Sequence, residues 1–456
     1  MVGHYLSAAL RNFRRDPLAS AIKLLALSLG LLCFLTAYVF ADFVGRADAH
    51  WGNAGRIYAL DQESGAANDN FAVTGQVAAP AAKYLRLDVP ELEVVARLTG
   101  NMSVAAPDLI ADPSEPLMAR GADADLLTVF DLPFLTGDTR DALAQPHSAV
   151  ITADLARRLF GGARDAMGQS MTLEALSATE VTVTGVVDAI PAPSALSMPF
   201  GRFDLLVTMD TVDDLSAPNF PTPPGATPEQ IAQMDAARRA FRRSEMDDWR
   251  SPFSETYILL PRDGGLTPEA LQPRLDAFAA RRIPPDQGSY SFTPAGLETA
   301  MADRIDQWII RGAATNYSLR GLLYAFGALV LGVACLNFAN LTTAEAAARG
   351  REIGLRKTIG AGRGQIALQT LTETLLLAAA ALVLMLIVLG LGLAAWETSR
   401  SWGLNLPALG RPGFWAGIGA IVIGVSLLAG AYPALVLARI SPLAAHRAGT
   451  PAAGGG

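Results

Sequence analysis

The chain has 456 residues, of which 51% are hydrophobic, and its mean hydropathy is positive. That is high for a soluble protein and points to membrane segments. The net charge of −7 is unevenly spread: residues 45–318 hold 37 acidic and 22 basic side chains, whereas the remainder holds 14 basic and 6 acidic ones. Such a split fits a membrane protein with one large translocated domain.

Residues 1–18 carry Arg11, Arg14 and Arg15, and Lys23 follows. Leu24–Ala41 then runs without a charge, and Ala19–Ile22 extend the run if Lys23 snorkels to the interface. A cleaved signal peptide is the competing reading, because Ala47-Asp48-Ala49 offers an A-x-A site. Secretory apolar cores run only about 7–15 residues, however, and Asp42 and Arg46 are misplaced for one. A retained anchor with its N-terminus inside is expected.

Residues 45–318 alternate short strands and helices. Arg56–Leu60 reads as a strand, Ala78–Leu87 as a helix, and Leu92–Leu98 as a strand. Ser148–Ile151 is a strand that leads into a helix, Leu155–Phe160, stopped at Gly161-Gly162. Met171–Leu173 and Val181–Val187 pair as a hairpin, and Phe203–Met209 is another strand. A Pro-rich loop at 217–228 precedes a charged helix at Ile231–Trp249. Thr256–Leu260 and a helix over Thr267–Arg281, opened by Thr267-Pro268-Glu269, complete the block. These elements indicate a mixed α+β domain, and the two cysteines, Cys33 and Cys335, both lie outside it in apolar runs. The domain's stability therefore comes from its own core.

Three further uncharged runs follow, Gly321–Ala344, Thr374–Trp396 and Pro412–Ala438, each longer than the ~20 residues a crossing needs. Between the first two lies a short loop holding Arg349, Arg351, Arg356, Lys357 and Arg363 against Glu345 and Glu352. Short cationic loops stay in the cytoplasm. The expected organisation is an integral membrane α-helical protein with four transmembrane helices and an inserted mixed α+β periplasmic domain. Its parts are a cytoplasmic segment 1–18, crossings at 19–44, 319–344, 373–396 and 412–438, and the periplasmic domain at 45–318. A cytoplasmic loop spans 345–372, a short periplasmic loop 397–411, and a cytoplasmic tail 439–456.

No G-x-x-x-x-G-K-[ST] phosphate loop, H-E-x-x-H motif, paired C-x-x-C or EF-hand spacing occurs, and the four histidines are scattered. Catalytic, cofactor and metal residues are therefore expected to be none. The second to fourth crossings lack the ionisable groups in their interiors that ion-driven carriers use. Asn337 and Asn340 read as helix-packing residues, and Gly390-Leu391-Gly392 as a site of close helix approach. In the basic loop, Glu345/Arg349 and Glu352/Arg356 stand at i,i+4, an order that favours helix. Leu355 and Ile359 form an apolar pair, and Gly360 and Gly362 break the helix before a second one from Gln365 runs into the third crossing. Residue chemistry leaves two readings of equal standing: a helix that passes force from a soluble partner, or one whose cations meet anionic lipid.

The stretch Arg351–Ile366, REIGLRKTIGAGRGQI, with Asn337, Asn340 and Arg349 before it and Glu373 after it, resembles the signature of FtsX-like permease domains. Ala429–Leu435 followed by Ser441-Pro442-Leu443 resembles the end of that domain. Thr128–Leu135 with Gly137-Asp138, Ser148–Phe160 with Gly161, Met167-Gly168-Gln169 and Val181–Val187 resemble the MacB-like periplasmic core domain. The resemblance to MacB/LolC-type ABC permeases implies a mechanotransmission subunit of the inner membrane. Its coupling helix would include Arg349, Arg351, Glu352, Ile353, Gly354, Leu355, Arg356, Lys357, Ile359, Gly360 and Ala361, docked on a separate cytoplasmic ABC ATPase dimer. That ATPase would bind ATP and Mg, and this chain would hold no cofactor. Other implied partners are a second permease half, identical or not, membrane lipids and, in some members, a periplasmic adaptor or lipoprotein. No nucleic acid is implied. Many relatives are about twice this length, so a half-size subunit, a split gene and a truncated chain are all open. The alternative is a membrane-anchored periplasmic sensor or scaffold without an ATPase.

Overall fold

The computed structural model describes residues 17–64, 75–110, 112, 115–191, 194–197, 201–216, 227–234, 236–237, 247–301, 303, 319–348, 355, 362–398 and 412–439. The chain divides into two compact units, one built on Val44–Leu319 and a helical one formed by the segments before and after it.

Helix α1 (Pro17–Val44) opens the chain and belongs mainly to the helical unit. The other unit follows as β1 (Ile57–Ser64), β2 (Val77–Ala78), α2 (Ala79–Asp88), β3 (Val94–Thr99), β4 (Met102–Val104) and β5 (Leu117–Ala122). Next come α3 (Leu126–Phe130), β6 (Phe134–Thr136), β7 (Ser148–Thr152), α4 (Ala153–Phe160), α5 (Ala163–Ala166), β8 (Ser170–Glu174) and β9 (Ala178–Val187). The unit closes with β10 (Leu205–Thr208), α6 (Met209–Ser216), β11 (Pro252–Leu259), α7 (Pro268–Arg282) and β12 (Tyr290–Gly296).

All twelve strands join one sheet in the order β12-β1-β11-β3-β5-β10-β7-β9-β6, with β2 on β11, β4 on β5 and β8 on β9. The pairs β5–β10 and β7–β9 are parallel. Side chains alternate across a strand, so each face gathers its own core. One face buries Ile57, Leu98, Phe130, Val150, Leu206 and Tyr257 in a single cluster. The opposite face divides in two. Leu60, Val95 and Ile258 pack with Leu85, Leu275 and Phe278, whereas Ile151, Val183, Leu205 and Val207 pack with Leu155.

Several local expectations are met by identifiable chemistry. Thr152 caps α4 by accepting the Leu155 N–H at 3.3 Å, and Gly161 ends it with φ +85°. Thr267 caps α7 in the same way through Ala270, with Pro268 at the first helical position. The strand expected to reach Met209 ends at Thr208, where α6 begins. Of the helix expected at Ile231–Trp249, residues 228–234 and 236–237 are helical and 247–250 turn. Its middle, and the Pro-rich loop at 217–226, lie outside the described residues.

The break between the two cores coincides with a break in the sheet. Strands β3 and β5 share one paired position, Leu98 with Ala122. Side chains take over from the ladder there: Thr99 Oγ1 accepts the Gly121 N–H at 2.7 Å, and the Thr99 carbonyl accepts from Arg120 Nε at 2.8 Å. Gly121 is required at this point, because a Cβ would lie 2.3 Å from Val212 Cγ2. Arg120 is wholly buried, with Nη2 3.0 Å from Glu255 Oε1 on β11. Nη1 donates to the Gly201 carbonyl at 3.3 Å, and Glu255 in turn accepts from the Tyr257 hydroxyl at 2.8 Å. A second buried carboxylate, Asp48, accepts from Trp51 Nε1 at 2.7 Å, from the Ser194 hydroxyl, and from the Ala195 N–H at 3.0 Å. It holds the segment 194–197 to the stretch following α1. Burial pushes the Asp48 carboxyl above the usual range despite these donors.

The remaining helices are α8 (Leu319–Ala348), α9 (Arg363–Thr398) and α10 (Pro412–Arg439). With α1 they are, among the described residues, the four helices long and apolar enough to cross a membrane. Their shared core is Leu27, Leu31 and Leu35 of α1, Phe338 of α8, Ala378 and Ala381 of α9, and Val425 and Ala429 of α10. Gly390 and Gly392 are exposed, and among the described residues a Cβ on either would meet no atom within 4 Å.

Two outcomes test this account. Replacing Arg120 with Ala strands the Glu255 charge and should lower stability by about 3–5 kcal/mol, whereas Arg120→Met with Glu255→Leu should recover most of it, read by thermal unfolding of the full chain. For Asp48, the folded state binds the proton more tightly than the unfolded one. Its contribution to stability therefore falls as pH rises from the ordinary carboxylate range through the raised folded value. A pH series of melting temperatures should show that slope in the parent and its loss in Asp48→Asn.

Candidate functional site

The connector between α8 and α9 carries the sequence's concentration of cations, and the geometry at its two ends determines what it can move. At the outgoing end, Lys23 Nζ of α1 lies 2.6 Å from Glu345 Oε1 of α8 and 5.9 Å from the centre of the Phe338 ring. The Lys23 side chain is only 7% exposed. An ammonium buried among leucines is costly unless a countercharge accompanies it. Lys23 therefore turns inward to Glu345 rather than snorkelling to the interface. This pair joins two helices far apart in sequence, and i,i+4 spacing carried no sign of it.

At the returning end, Gly362 precedes the first turn of α9. Its N–H donates to Gln365 Oε1 at 3.1 Å, while its carbonyl accepts from the Gln365 and Ile366 N–H groups. The Gln side chain reaching back to the cap N–H is half of a capping box. The helix expected from Gln365 onward thus begins at Arg363 and continues unbroken into the crossing for 36 residues, about 54 Å at 1.5 Å per residue. That exceeds the ~30 Å hydrocarbon thickness. Ile366, Thr370 and Thr374 turn inward at i,i+4 spacing. The two threonine hydroxyls donate to the carbonyls four residues back, at 3.0 and 2.9 Å. Gly430 of α10 abuts this surface; a Cβ there would lie 2.9 Å from Thr374 Oγ1 and 3.1 Å from Leu371 Cδ2.

The helices that flank the connector are thus anchored, α8 to α1 through the ion pair at Glu345 and α9 to α10 through close packing at Leu371 and Thr374. Of the residues the sequence singled out, Leu355 is helical and 63% exposed. Arg349, Arg351, Glu352, Ile353, Gly354, Arg356, Lys357, Ile359, Gly360 and Ala361 lie outside the described residues. Asn337 and Asn340, expected to pack on neighbouring helices, are exposed on α8. Among the described residues no group of histidine, cysteine or acidic side chains could hold a metal ion.

Comparison with known proteins adds to this geometry. The model of the MacB-like periplasmic core domain matches residues 20–243, and that of the FtsX-like permease C-terminal domain matches residues 324–442, which include the connector. Among solved structures, a domain of a Porphyromonas gingivalis protein described as a permease is 19% identical, with 54% of this chain and 91% of that one covered, at a TM-score of 0.37. The periplasmic region of MacB from Actinobacillus actinomycetemcomitans is 10% identical, with 58% and 96% covered, at a TM-score of 0.32. No curated protein matches the chain.

The packing at Gly430 has a direct test. Gly430→Val should force Thr374 and Leu371 away and destabilise the helical unit by about 1–3 kcal/mol, measured as a lower melting temperature of the detergent-solubilised chain. Gly430→Ala should cost less.

Proposed function

Because the chain belongs to the MacB/FtsX-like ABC transporter permeases, membrane proteins with a periplasmic domain, we propose that it transmits ATP-driven motion of a separate cytoplasmic ATPase to that domain. The observation that carries this reading is the anchoring of the two helices that flank the connector, α8 to α1 by Lys23–Glu345 and α9 to α10 at Gly430. A partner pressing between them would move whole helices, and helices are stiff enough to carry displacement across a bilayer.

The connector's cations favour the cytoplasmic side, which puts both chain termini there and residues 45–318 outside. In this reading Arg349, Arg351, Glu352, Ile353, Gly354, Leu355, Arg356, Lys357, Ile359, Gly360 and Ala361 form the surface that meets the ATPase. ATP and Mg bind in the partner, where hydrolysis takes place, and this chain is non-catalytic. A second permease half, identical or not, completes the membrane assembly. The work done outside belongs to efflux, lipoprotein release or envelope remodelling rather than solute conduction through the spans, consistent with the uncharged interiors of the second to fourth crossings.

Reversing two charges tests the coupling. In membranes containing the partner ATPase, Arg356→Glu with Lys357→Glu should abolish the stimulation of ATP hydrolysis by this chain while leaving its insertion intact. Unchanged stimulation would remove the coupling role, and full function with every candidate ATPase deleted would favour a sensor or scaffold instead.

A further inference from the structure

We propose that a closed ring of buried contacts, running from Asp48 to Glu255 and back, fastens the exit of α1 to the centre of the sheet. Asp48 is then the positioning residue through which displacement of α1 enters the outer domain. The inference rests on the permease reading and specifies where the transmitted motion goes.

Asp48 stands four residues after Val44, the last residue of α1. Two routes lead from it to one carboxylate. The polar route passes from Asp48 to the Ser194 hydroxyl and to the Ala195 N–H, the latter at 3.0 Å. The Ala195 carbonyl lies so close to Gly201 that a Cβ there would sit 1.7 Å from its oxygen. The Gly201 carbonyl accepts from Arg120 Nη1 at 3.3 Å, and Arg120 Nη2 lies 3.0 Å from Glu255 Oε1. The aromatic route starts at Trp51, whose Nε1 donates to Asp48 at 2.7 Å. Its ring meets Phe130 edge to face at 5.4 Å, and Phe130 meets Tyr257 in the same manner at 4.8 Å. The Tyr257 hydroxyl closes the ring by donating to Glu255 Oε2 at 2.8 Å.

Every side chain on both routes is buried. Close-packed interiors pass displacement on, and chains of packed and hydrogen-bonded side chains are its physical carriers. Arg120 lies on β5 and Glu255 on β11, with β3 between them in the sheet order. The ring therefore bridges the place where β3 and β5 share one paired position. Stability alone does not account for it, because apolar residues of similar shape commonly replace a buried ion pair at no loss. Asp48 also adopts φ +62°, a left-handed backbone easier for glycine, so its carboxylate outweighs backbone ease.

Hydrogen exchange of the full chain provides the test, in membranes containing the partner ATPase, with and without ATP plus vanadate to hold that ATPase closed. In the parent, closure should change amide exchange over 117–122 and 252–259 by about fivefold. Asp48→Asn turns an amide nitrogen toward the Ala195 N–H, and Arg120→Met with Glu255→Leu opens both routes where they meet. Each should lose most of that change while 45–51 still responds. Leu275→Ala, in a separate cluster on the opposite face, lowers stability without touching the ring and should keep the change. A change retained in the first two variants, or lost equally in Leu275→Ala, would overturn the ring's role. Stimulation of ATP hydrolysis is scored on the same membranes. Stimulation by the parent with no response at 117–122 rejects only the ring. Its absence together with any response at 45–51 rejects the permease reading, and this inference with it.

Discussion

A charge cannot be left alone in a low-dielectric interior, and the pairing of Lys23 with Glu345 shows how that constraint organises the helical unit. Lys23 interrupts what would otherwise be a featureless apolar helix. It can be accommodated deep in the bundle only where an acid comes to meet it, and Glu345 supplies that acid at the last apolar turn of α8. The register of α1 against α8 is thereby tied to one contact, and the position at which the chain leaves the membrane toward the connector is tied with it. Close packing at Gly430 does the corresponding work on the returning side, by steric fit instead of charge. The two helices on either side of the basic segment are thus anchored by different physics.

The same constraint recurs in the sheet unit. Arg120 is a full guanidinium with no solvent access, tolerated because Glu255 and the Thr99 and Gly201 carbonyls surround it. Nearby, Asp123 is held between Arg86 and Arg97, and the Arg97 bonds hold its carboxyl below the usual range against the opposing effect of burial. Both clusters lie where β3 meets β5, the part of the sheet with least backbone pairing. Polar side chains here supply connections that main-chain ladders supply elsewhere.

Much of this architecture was legible in the chain because it depends on local signals. Uncharged runs marked the four long helices, and Gly161, Thr267 and Pro268 marked helix ends whose caps are observed. The hairpin of β8 and β9 followed from alternation over 171–173 and 181–187. Strand β5 was missed because Arg120 and Gly121 break its apolar pattern, and their reason lies in distant partners, Glu255 and Val212. Strand β12, with Ser291, Thr293 and Pro294, has too little apolar alternation to announce itself. The contact of Lys23 with Glu345 was hidden for the same reason as Arg120: nothing within a few residues of either partner records it. Asn337 and Asn340 were expected to pack on neighbouring helices, and among the described residues both are exposed on α8. Most of the candidate coupling residues rest on the sequence resemblance alone.

The junction of β3 and β5 gives the sheet an uneven stiffness. One face carries a single cluster of buried side chains across the junction, whereas the opposite face carries a separate cluster on either side of it. Where the ladder narrows to one pair, load passing between the two groups of strands is borne by that shared core and by the contacts of Thr99, Arg120 and Glu255 instead of by main-chain bonds.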